Sequence, residues 1–350
     1  MKKIIKLLPL KSAAILLTAI VVVLTACDNP VYDDEGNCEV NYNLRFVYDM
    51  NLKWADAFPS EVNTVHLYAF DRNTGLFVKE FAASGAALKN KDYTMRLDLV
   101  PGKYTLVAWC ENQNEDRDSY FTVPQPVAGK TRIEELTCTL NTTAESRAEN
   151  CSDNHLNFLY HGKQDVDLPK VYNGKYDYTI YLTKDTHHFR IMLHQMSAEK
   201  LEAEDFEFTI EEADRVLGYD NTILDSDIVC YRPWNVDMEQ ATSDEQKTTY
   251  GIFADLSTSR LNAARKDKVY LTISGKGKVL FRVPILEYAL MGLDYYRMAY
   301  DHPEMDEQEF LDRQDECFYT FILDESQKWI SVEIKIAEWR VVKHNYELGN

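Results

Sequence analysis

The sequence lacks the short motifs by which several enzyme classes are recognised. It contains no GxSxG nucleophile elbow, P-loop, GxGxxG dinucleotide fingerprint or HExxH zinc motif. None of its seven cysteines stands in a CxxC pair or at a zinc-site spacing from histidine. The two catalytic acids of a glycosidase are brought together by the fold and need no short motif. Nothing in this sequence singles out two of its acids as such a pair. We therefore predict a non-enzymatic protein with no cofactor and no metal site.

Basic residues are scarce relative to acidic ones. The chain has 57 acidic and 38 basic residues, a formal net charge of −19. Four of the lysines lie within the first 11 residues, so the remainder is still more acidic. Such a body repels nucleic acid and anionic lipid headgroups. We therefore predict no nucleic-acid partner, and any attachment to a membrane must come from acyl chains.

The N-terminus has the pattern of a lipoprotein signal peptide, predicted over residues 1–26. Its lysines precede an apolar run at residues 12–24, which is shorter than the roughly 20 residues that a spanning helix needs. The run ends at Leu24-Thr25-Ala26-Cys27, a lipobox in which small residues precede the cysteine. Cleavage would leave Cys27 as the N-terminus, and its thiol would carry the diacylglycerol. This predicts an exported protein that is anchored to a membrane by lipid, and it makes Cys27 the candidate lipidation site.

The segment after Cys27 is an acidic tether, predicted over residues 27–37. It contains proline, glycine and four acids and has little to bury. Asp33-Asp34-Glu35 resembles the acidic tract that directs some lipoproteins to the outer face of the membrane, which favours surface exposure. A soluble spacer is the other interpretation of these three residues.

Beyond the tether the hydrophobic pattern predicts a mainly β protein. Many short strands argue for a β-sandwich in each half, at residues 38–150 and 155–350, with the polar stretch 141–154 as the boundary. Residues 62–70 are apolar on both faces, and residues 93–109 predict a hairpin over a Pro101-Gly102 type II turn. Residues 329–342 read as one closing strand, and 256–268 and 303–317 as helices.

Several polar clusters are candidate sites with simpler interpretations. His188 and His194 share one face of a strand that also carries His187, and exposed strand histidines are favoured over zinc ligands. The acids between residues 301 and 312 predict a solvated helix face rather than a cation site. The six cysteines after Cys27 allow up to three disulfides or buried thiols, and both possibilities stay open. The 22 tyrosines permit sugar stacking, although most are expected inside the sandwiches.

An ordered set of segments resembles the FimB-type fimbrial anchor proteins, also called the fimbrillin-A-associated anchor family. Besides the lipobox, the resemblance rests on segments that include Cys38-Glu39-Val40, residues 65–71 with Gly75, residues 99–109, His155-Leu156-Asn157, His161-Gly162, residues 257–261, residues 310–313 and the closing stretch 329–339. Cys317 departs from the pattern, at a position where an aromatic or polar residue is expected.

The resemblance implies two tandem transthyretin-like β-sandwich domains and a role at the base of a fimbrium. Such a protein would attach the fibre to the outer membrane and limit its length, with fimbrial stalk or accessory subunits as partners. Strand addition between subunits would supply the contact. Because the N-terminus is tied to lipid, we expect the contact at the C-terminal segment, residues 330–350. The alternative function is a surface glycan-binding lipoprotein.

Overall fold

The structure is a computed structural model that describes residues 40–113, 119–142, 150–171, 173–195, 201–224, 227–242, 248–324, 326, 329–336 and 339–344. The predicted signal peptide, Cys27 and the tether lie outside the described residues. Residues 41–170 and those from 175 onward belong to one compact unit, and Val40 with residues 171, 173 and 174 belongs to another. Among the described residues, no helix has the length and apolarity required to cross a bilayer.

Strands dominate the chain, which confirms the predicted mainly β class. They are β1 Val40–Val47, β2 Thr64–Asp71, β3 Phe77–Ser84, β4 Met95–Arg96, β5 Gly102–Glu111, β6 Phe121–Thr122, β7 Thr137–Leu140, β8 Cys151–Ser152, β9 Leu159–Leu168, β10 Gly174–Tyr181, β11 Thr183–Lys184, β12 Thr186–Gln195, β13 Phe206–Glu212, β14 Val216–Gly218, β15 Val229–Tyr231, β16 Asn235–Thr242, β17 Thr248–Ser259, β18 Tyr270–Gly275, β19 Lys278–Pro284, β20 Glu316–Leu323, β21 Trp329–Ile336 and β22 Trp339–His344.

The described helices are short. The α-helices are α1 Phe58–Glu61, α2 Ile285–Ala289, α3 Leu293–Ala299 and α4 Glu307–Arg313, and the 3-10 helices are Gly85–Lys89, Ile133–Glu135, Ala203–Asp205, Ala263–Arg265 and Leu290–Gly292.

The first sandwich packs the sheet β10-β1-β4 against the sheet β11-β9-β5-β2-β3. Tyr48, which follows β1, meets Tyr160 of β9 edge-to-face, with ring centres 4.9 Å apart. Alternate residues of β2 point to opposite faces, and both sets are buried: Val65 and Leu67 on one face, Tyr68 and Phe70 on the other. This explains why residues 62–70 are apolar on both faces. The five-stranded sheet is covered on its second face by the core of the second sandwich.

The second sandwich packs the sheet β16-β17-β12-β20-β21-β22 against the sheet β19-β18-β13-β15-β8. Phe189, Ile191 and Leu193 of β12 point inward, as their alternation predicts. Phe281 of β19 contacts Phe321 of β20 across the interior, with ring centres 5.0 Å apart. A third, three-stranded sheet, β14-β7-β6, joins residues from both halves of the chain.

The chain leaves the sheets of the first sandwich later than the predicted boundary at residues 141–154. Strands β9, β10 and β11 all lie in sheets of the first sandwich, while β8 lies in a sheet of the second. The first sandwich therefore draws on the chain as far as Lys184. That residues 38–150 and 155–350 form two separate domains stays a prediction.

The predicted hairpin at residues 93–109 is wrong. β4 pairs with β1, whereas β5 pairs with β2 and β9. The chain thus passes from one sheet to the facing sheet between these two strands. Gly102 begins β5 without the left-handed backbone that a type II turn requires at this position. Proline and glycine mark a chain reversal, but they do not specify which neighbour the next strand joins.

Three other element predictions need correction. The closing stretch 329–342 is a hairpin of β21 and β22 rather than one strand. Most of the helix predicted at 256–268 is absent, because β17 runs to Ser259. The later helix begins after Asp306 rather than at Pro303. The carboxylate of Asp306 accepts a hydrogen bond from the Glu309 amide at 2.8 Å.

Candidate functional site

The C-terminal hairpin forms one edge of the six-stranded sheet. β22 pairs with β21 in antiparallel register from Ser331↔His344 to Ile336↔Trp339. No other described strand pairs with β22, so its outer backbone groups face away from the sheet. An edge strand with unpaired amide and carbonyl groups is a template for strand addition. Of the predicted contact segment 330–350, the residues after His344 lie outside the described part.

β21 is held more firmly than β22. It lies between β20 and β22, and Val332 is fully buried. The ring of Trp329 contacts Phe281 and Phe321, at centre distances of 5.3 and 6.0 Å. β22, in contrast, has β21 as its only strand partner among the described residues. Among the described strands, the sheet therefore ends in β21, a core strand, followed by β22, which has no neighbour on its far side.

A cleft of about 730 Å³ lies where the first and second sandwiches meet. Its lining includes Tyr48, Phe158, Tyr296, Tyr300 and Phe318, together with charged groups. Tyr296 and Tyr300 of the α3 region are stacked, with ring centres 5.0 Å apart. Tyr300 is 47% exposed. The cleft thus combines aromatic faces with polar groups, as carbohydrate sites do.

Trp54 lies between Lys53 and Ala55, two residues that line the cleft. Its ring stacks on the imidazole of His302, with centres 3.8 Å apart. The guanidinium carbon of Arg313 lies 3.5 Å from the centre of the Trp54 ring. Arg313 also donates a hydrogen bond to the carbonyl of Asp49 at 3.1 Å. These contacts attach the loop after β1 to α4.

Lys184 lies at the base of the cleft and is almost completely buried, with 2% of its side chain exposed. Its ammonium group pairs with Asp315 and lies 2.8 Å from the carboxylate of Glu61. It also lies 3.9 Å from the centre of the Phe158 ring. Glu61 belongs to the first sandwich, and Asp315 immediately precedes β20 of the second. Lys184 is therefore an ionic clamp between them.

A second buried network surrounds Arg260, which follows β17. Its guanidinium pairs with both carboxylate oxygens of Asp312, at 3.1 and 2.6 Å. It also lies 3.5 Å from the buried carboxylate of Asp185, which accepts a hydrogen bond from Asn221. Asp312 was predicted on a solvated helix face. That interpretation is wrong for Asp312, because the α4 face that carries it points toward Arg260.

The described histidines lie in strands or loops, and several are packed against neighbouring rings and backbone groups. Among the described residues, no three or more histidine, cysteine or acidic side chains come together in a way that would hold a metal ion. His188 and His194 share the outer face of β12, as predicted. His187, expected on the surface, is buried and its ring contacts the carbonyl of Leu311 at 3.0 Å. Burial lowers the pKa of His188 and of His161 to about 4. These rings are therefore neutral parts of the core and its margin.

The buried carboxyl of Asp214 predicts a pH-dependent stability. Burial raises the pKa of Asp214 to about 8, and the Tyr231 hydroxyl donates a hydrogen bond to it at 2.6 Å. A carboxyl with a raised pKa binds a proton on folding, so stability is lost as pH rises from about 4 toward 8. We expect the contribution of this carboxyl to the free energy of unfolding to fall by up to about 1.4 kcal/mol per pH unit in this window. The buried histidines, whose pKa values are lowered from 6.5, contribute with the opposite sign in the lower part of the window.

Urea unfolding of the wild type and of Asp214→Asn, measured at pH 5, 6 and 7, checks this expectation. The variant carries no ionisable group at this position, so the stability of the wild type relative to the variant should fall as pH rises. Glu212 is the nearest other buried acid, and burial also raises its pKa, although it is paired with Arg265. A residual slope in the variant is therefore expected. If the free energy of unfolding changed equally with pH in the two proteins, the raised pKa of Asp214 would be contradicted.

The structure describes five of the seven cysteines. Cys110, Cys138 and Cys317 are buried in the interior. Burial raises the pKa of Cys317 to about 12 and raises that of Cys110 still further. These three cysteines are therefore inert buried thiols. Cys27 and Cys38 lie outside the described residues, so the lipidation site stays a prediction.

Comparison with known proteins identifies the family. Residues 34–345 match the sequence profile described as fimbrillin-A associated anchor proteins Mfa1 and Mfa2. The chain belongs to this family. The match confirms the resemblance seen in the sequence and places this member in a structural family of fimbrial anchors and adhesins. A fimbrial accessory or adhesion role follows from that membership. No curated protein sequence matches the chain.

Solved structures resemble this family member over most of the chain. A protein of Bacteroides thetaiotaomicron described as a candidate adhesin is 31% identical, with a TM-score of 0.72, covering 86% of this chain and 96% of that one. A second protein of the same organism, described as a candidate polysaccharide-binding protein, is 26% identical with a TM-score of 0.70, covering 88% and 99%. The fimbrial anchor protein Mfa2 of Porphyromonas gingivalis shares the fold at 14% identity and a TM-score of 0.60, covering 88% and 99%.

Sequence reasoning missed the cleft, the Lys184 clamp and the Trp54 stack. Lys184 is separated from Asp315 by 131 positions, so no local spacing connects them. The only signal in the sequence is that Lys184 stands beside an apolar strand. Exposed lysines also stand beside apolar strands, so this position does not distinguish a buried lysine from an exposed one.

Proposed function

We propose that the protein is a lipid-anchored base subunit that attaches a fimbrium to the outer membrane and limits its length. The match to the anchor family over residues 34–345 carries this proposal. Acyl chains on Cys27 would hold the protein in the membrane, since each buried methylene contributes about 0.8 kcal/mol and several chains anchor stably. The acidic body offers no electrostatic alternative for binding an anionic bilayer.

The proposed contact with the next fimbrial subunit is the outer edge of β22. A strand of that subunit would pair with the free backbone groups of β22 and extend the six-stranded sheet by one strand. Main-chain hydrogen bonds would supply affinity along the six residues of β22. Because a base subunit offers one edge to one neighbour, its incorporation would also end growth at that end of the fibre.

Ending the chain at residue 336 tests the contact. This truncation removes β22 and leaves β21 between β20 and solvent, whereas a cut inside β21 would damage the core. We expect a folded, membrane-bound protein that no longer retains fibres, seen by electron microscopy of cells and medium. A chain ending at residue 344 keeps β22 and serves as the control. Attached fibres of normal length on cells with the shorter chain would refute the β22 contact.

The cleft favours a second candidate function, the binding of a surface glycan. Tyr300 is exposed beside stacked Tyr296, and a relative 26% identical is described as a candidate polysaccharide-binding protein. Screening on a glycan array should then give at least one binding sugar, with binding lost in Tyr300→Ala. Tyr181→Ala is the matched control, because Tyr181 is more exposed and is not a lining residue of the cleft. An array with no signal for the wild type would eliminate this function.

A further inference from the structure

Two cysteines meet on neighbouring strands of the second sandwich. β8 and β15 run parallel, and their register places Cys151 directly beside Cys230. The amide of Cys230 donates to the carbonyl of Asn150, and that of Arg232 donates to the carbonyl of Ser152, both at 2.8 Å. These bonds on either side of the pair fix the two strands together. The two thiols are themselves within hydrogen-bonding distance.

The geometry of this pair suits a covalent bond. Adjacent strands lie about 4.8 Å apart, within the roughly 4.4–6.8 Å range of Cα separations in disulfides. Residues paired in register point to the same face of a sheet, so both Cβ atoms leave the backbone in the same direction. Of the described cysteines, no other two are partners in a strand register.

The pair also lies where an oxidant can reach it. Val229 and Tyr231, on either side of Cys230, are fully buried, so Cys230 points to the opposite, outer face of β15. Cys151 and Cys230 are both half-buried, in contrast to the three cysteines in the interior. A predicted signal peptide would deliver the chain to a compartment in which disulfides persist.

We propose that Cys151 and Cys230 form a disulfide in the exported protein. An oxidant that carries a reactive disulfide supplies the oxidising equivalents. The thiolate of one cysteine attacks that disulfide, a mixed disulfide forms, and the second cysteine displaces the oxidant as a dithiol. The protein loses two electrons and two protons to the oxidant. The product fastens β8, a strand of only two residues, to the sheet.

Uncatalysed formation of this bond is expected to be slow. Burial and the neighbouring thiol raise the pKa of Cys230 to about 11, so little of it is thiolate at neutral pH. Formation of the bond in the cell therefore requires a catalytic oxidant that carries a reactive disulfide. Once formed, the bond closes a loop of about eighty residues, which restricts the unfolded chain strongly.

Peptide mapping of the full-length protein tests the proposal. Protein is isolated from cells in the presence of N-ethylmaleimide, digested with trypsin without reductant and analysed by mass spectrometry. We expect residues 148–163 linked to residues 216–247 in most molecules, and both peptides released by dithiothreitol. Alkylation of both cysteines in the isolated protein, or a bond from either one to Cys38, would overturn the proposal.

Thermal unfolding supplies an independent measurement. Cys151→Ser, Cys230→Ser and the double variant should each lower the melting temperature by roughly 5 °C under oxidising conditions. The three losses should be equal, since each removes the same bond. With reductant present, the wild type should fall to the temperature of the variants. If the variants remained below the wild type by the same amount in reductant, the two residues would act by packing alone and the proposal would be wrong.

Discussion

Replacing Lys184 with methionine is expected to destabilise the protein by about 2–4 kcal/mol, because it leaves two carboxylates facing each other without their cation. Glu61 and Asp315 both contact the Lys184 ammonium group. Their side chains remain about a third and a quarter exposed, and this solvent screening reduces the cost below that of a fully buried pair. Methionine fills similar space, so the lost charge dominates the effect.

Urea unfolding at neutral pH measures this change. Adding Glu61→Gln and Asp315→Asn to the Lys184→Met protein should recover part of the loss, since the like charges are then removed. Lys79→Met is the matched control, because its 2.7 Å pair with Asp98 is on the surface. That variant should be about as stable as the wild type, because solvent screens a pair on the surface. A Lys184→Met protein as stable as the control would refute the clamp.

Replacing Cys27 with serine is expected to move the protein from the membrane to the soluble fraction. Serine has no thiol to receive diacylglycerol, and the acidic remainder of the chain has no other described means of binding a bilayer. The fold should be unchanged, since Cys27 precedes the first described strand. Detergent phase partitioning and incorporation of a labelled fatty acid into the protein measure the outcome. Cys38→Ser is the control and should remain lipid-labelled.

A Cys27→Ser protein that stays in the detergent phase would contradict lipid anchoring at this residue. The same result with retained fatty-acid label would point to another acylated position. Loss of label together with continued membrane association would instead indicate a protein contact as the anchor.

The class of fold and most strands could be predicted from the sequence, because alternation is a local property. The β18–β19 hairpin follows directly from Ser274-Gly275-Lys276-Gly277, where Lys276 and Gly277 take positive φ values of 49° and 74°. Strand pairing beyond neighbouring hairpins was less accessible. β4 and β5 are adjacent in sequence and lie in different sheets, and no local pattern specifies which sheet each strand joins.

The candidate sites were harder to predict than the strands. Lys184, Asp315 and Glu61 come together through three separate segments, and Arg260 with Asp312 through two. The sequence shows that these side chains are charged, but it does not show that they contact one another in the fold. The Cys151–Cys230 pair is similar, because six cysteines admit many pairings and only the β8–β15 register brings these two together. Long-range topology therefore sets the sites, whereas local pattern sets the strands.

Electron microscopy of fibres tests the proposed anchor function most directly. The gene is deleted, and the cells are supplied with the wild-type protein, with Cys27→Ser or with nothing. We predict fibres on cells carrying the wild type, and fibres shed into the medium in the other two strains. In the Cys27→Ser strain the shed fibres should also carry the protein. Fibres that remain attached to cells in the deletion strain would contradict the account.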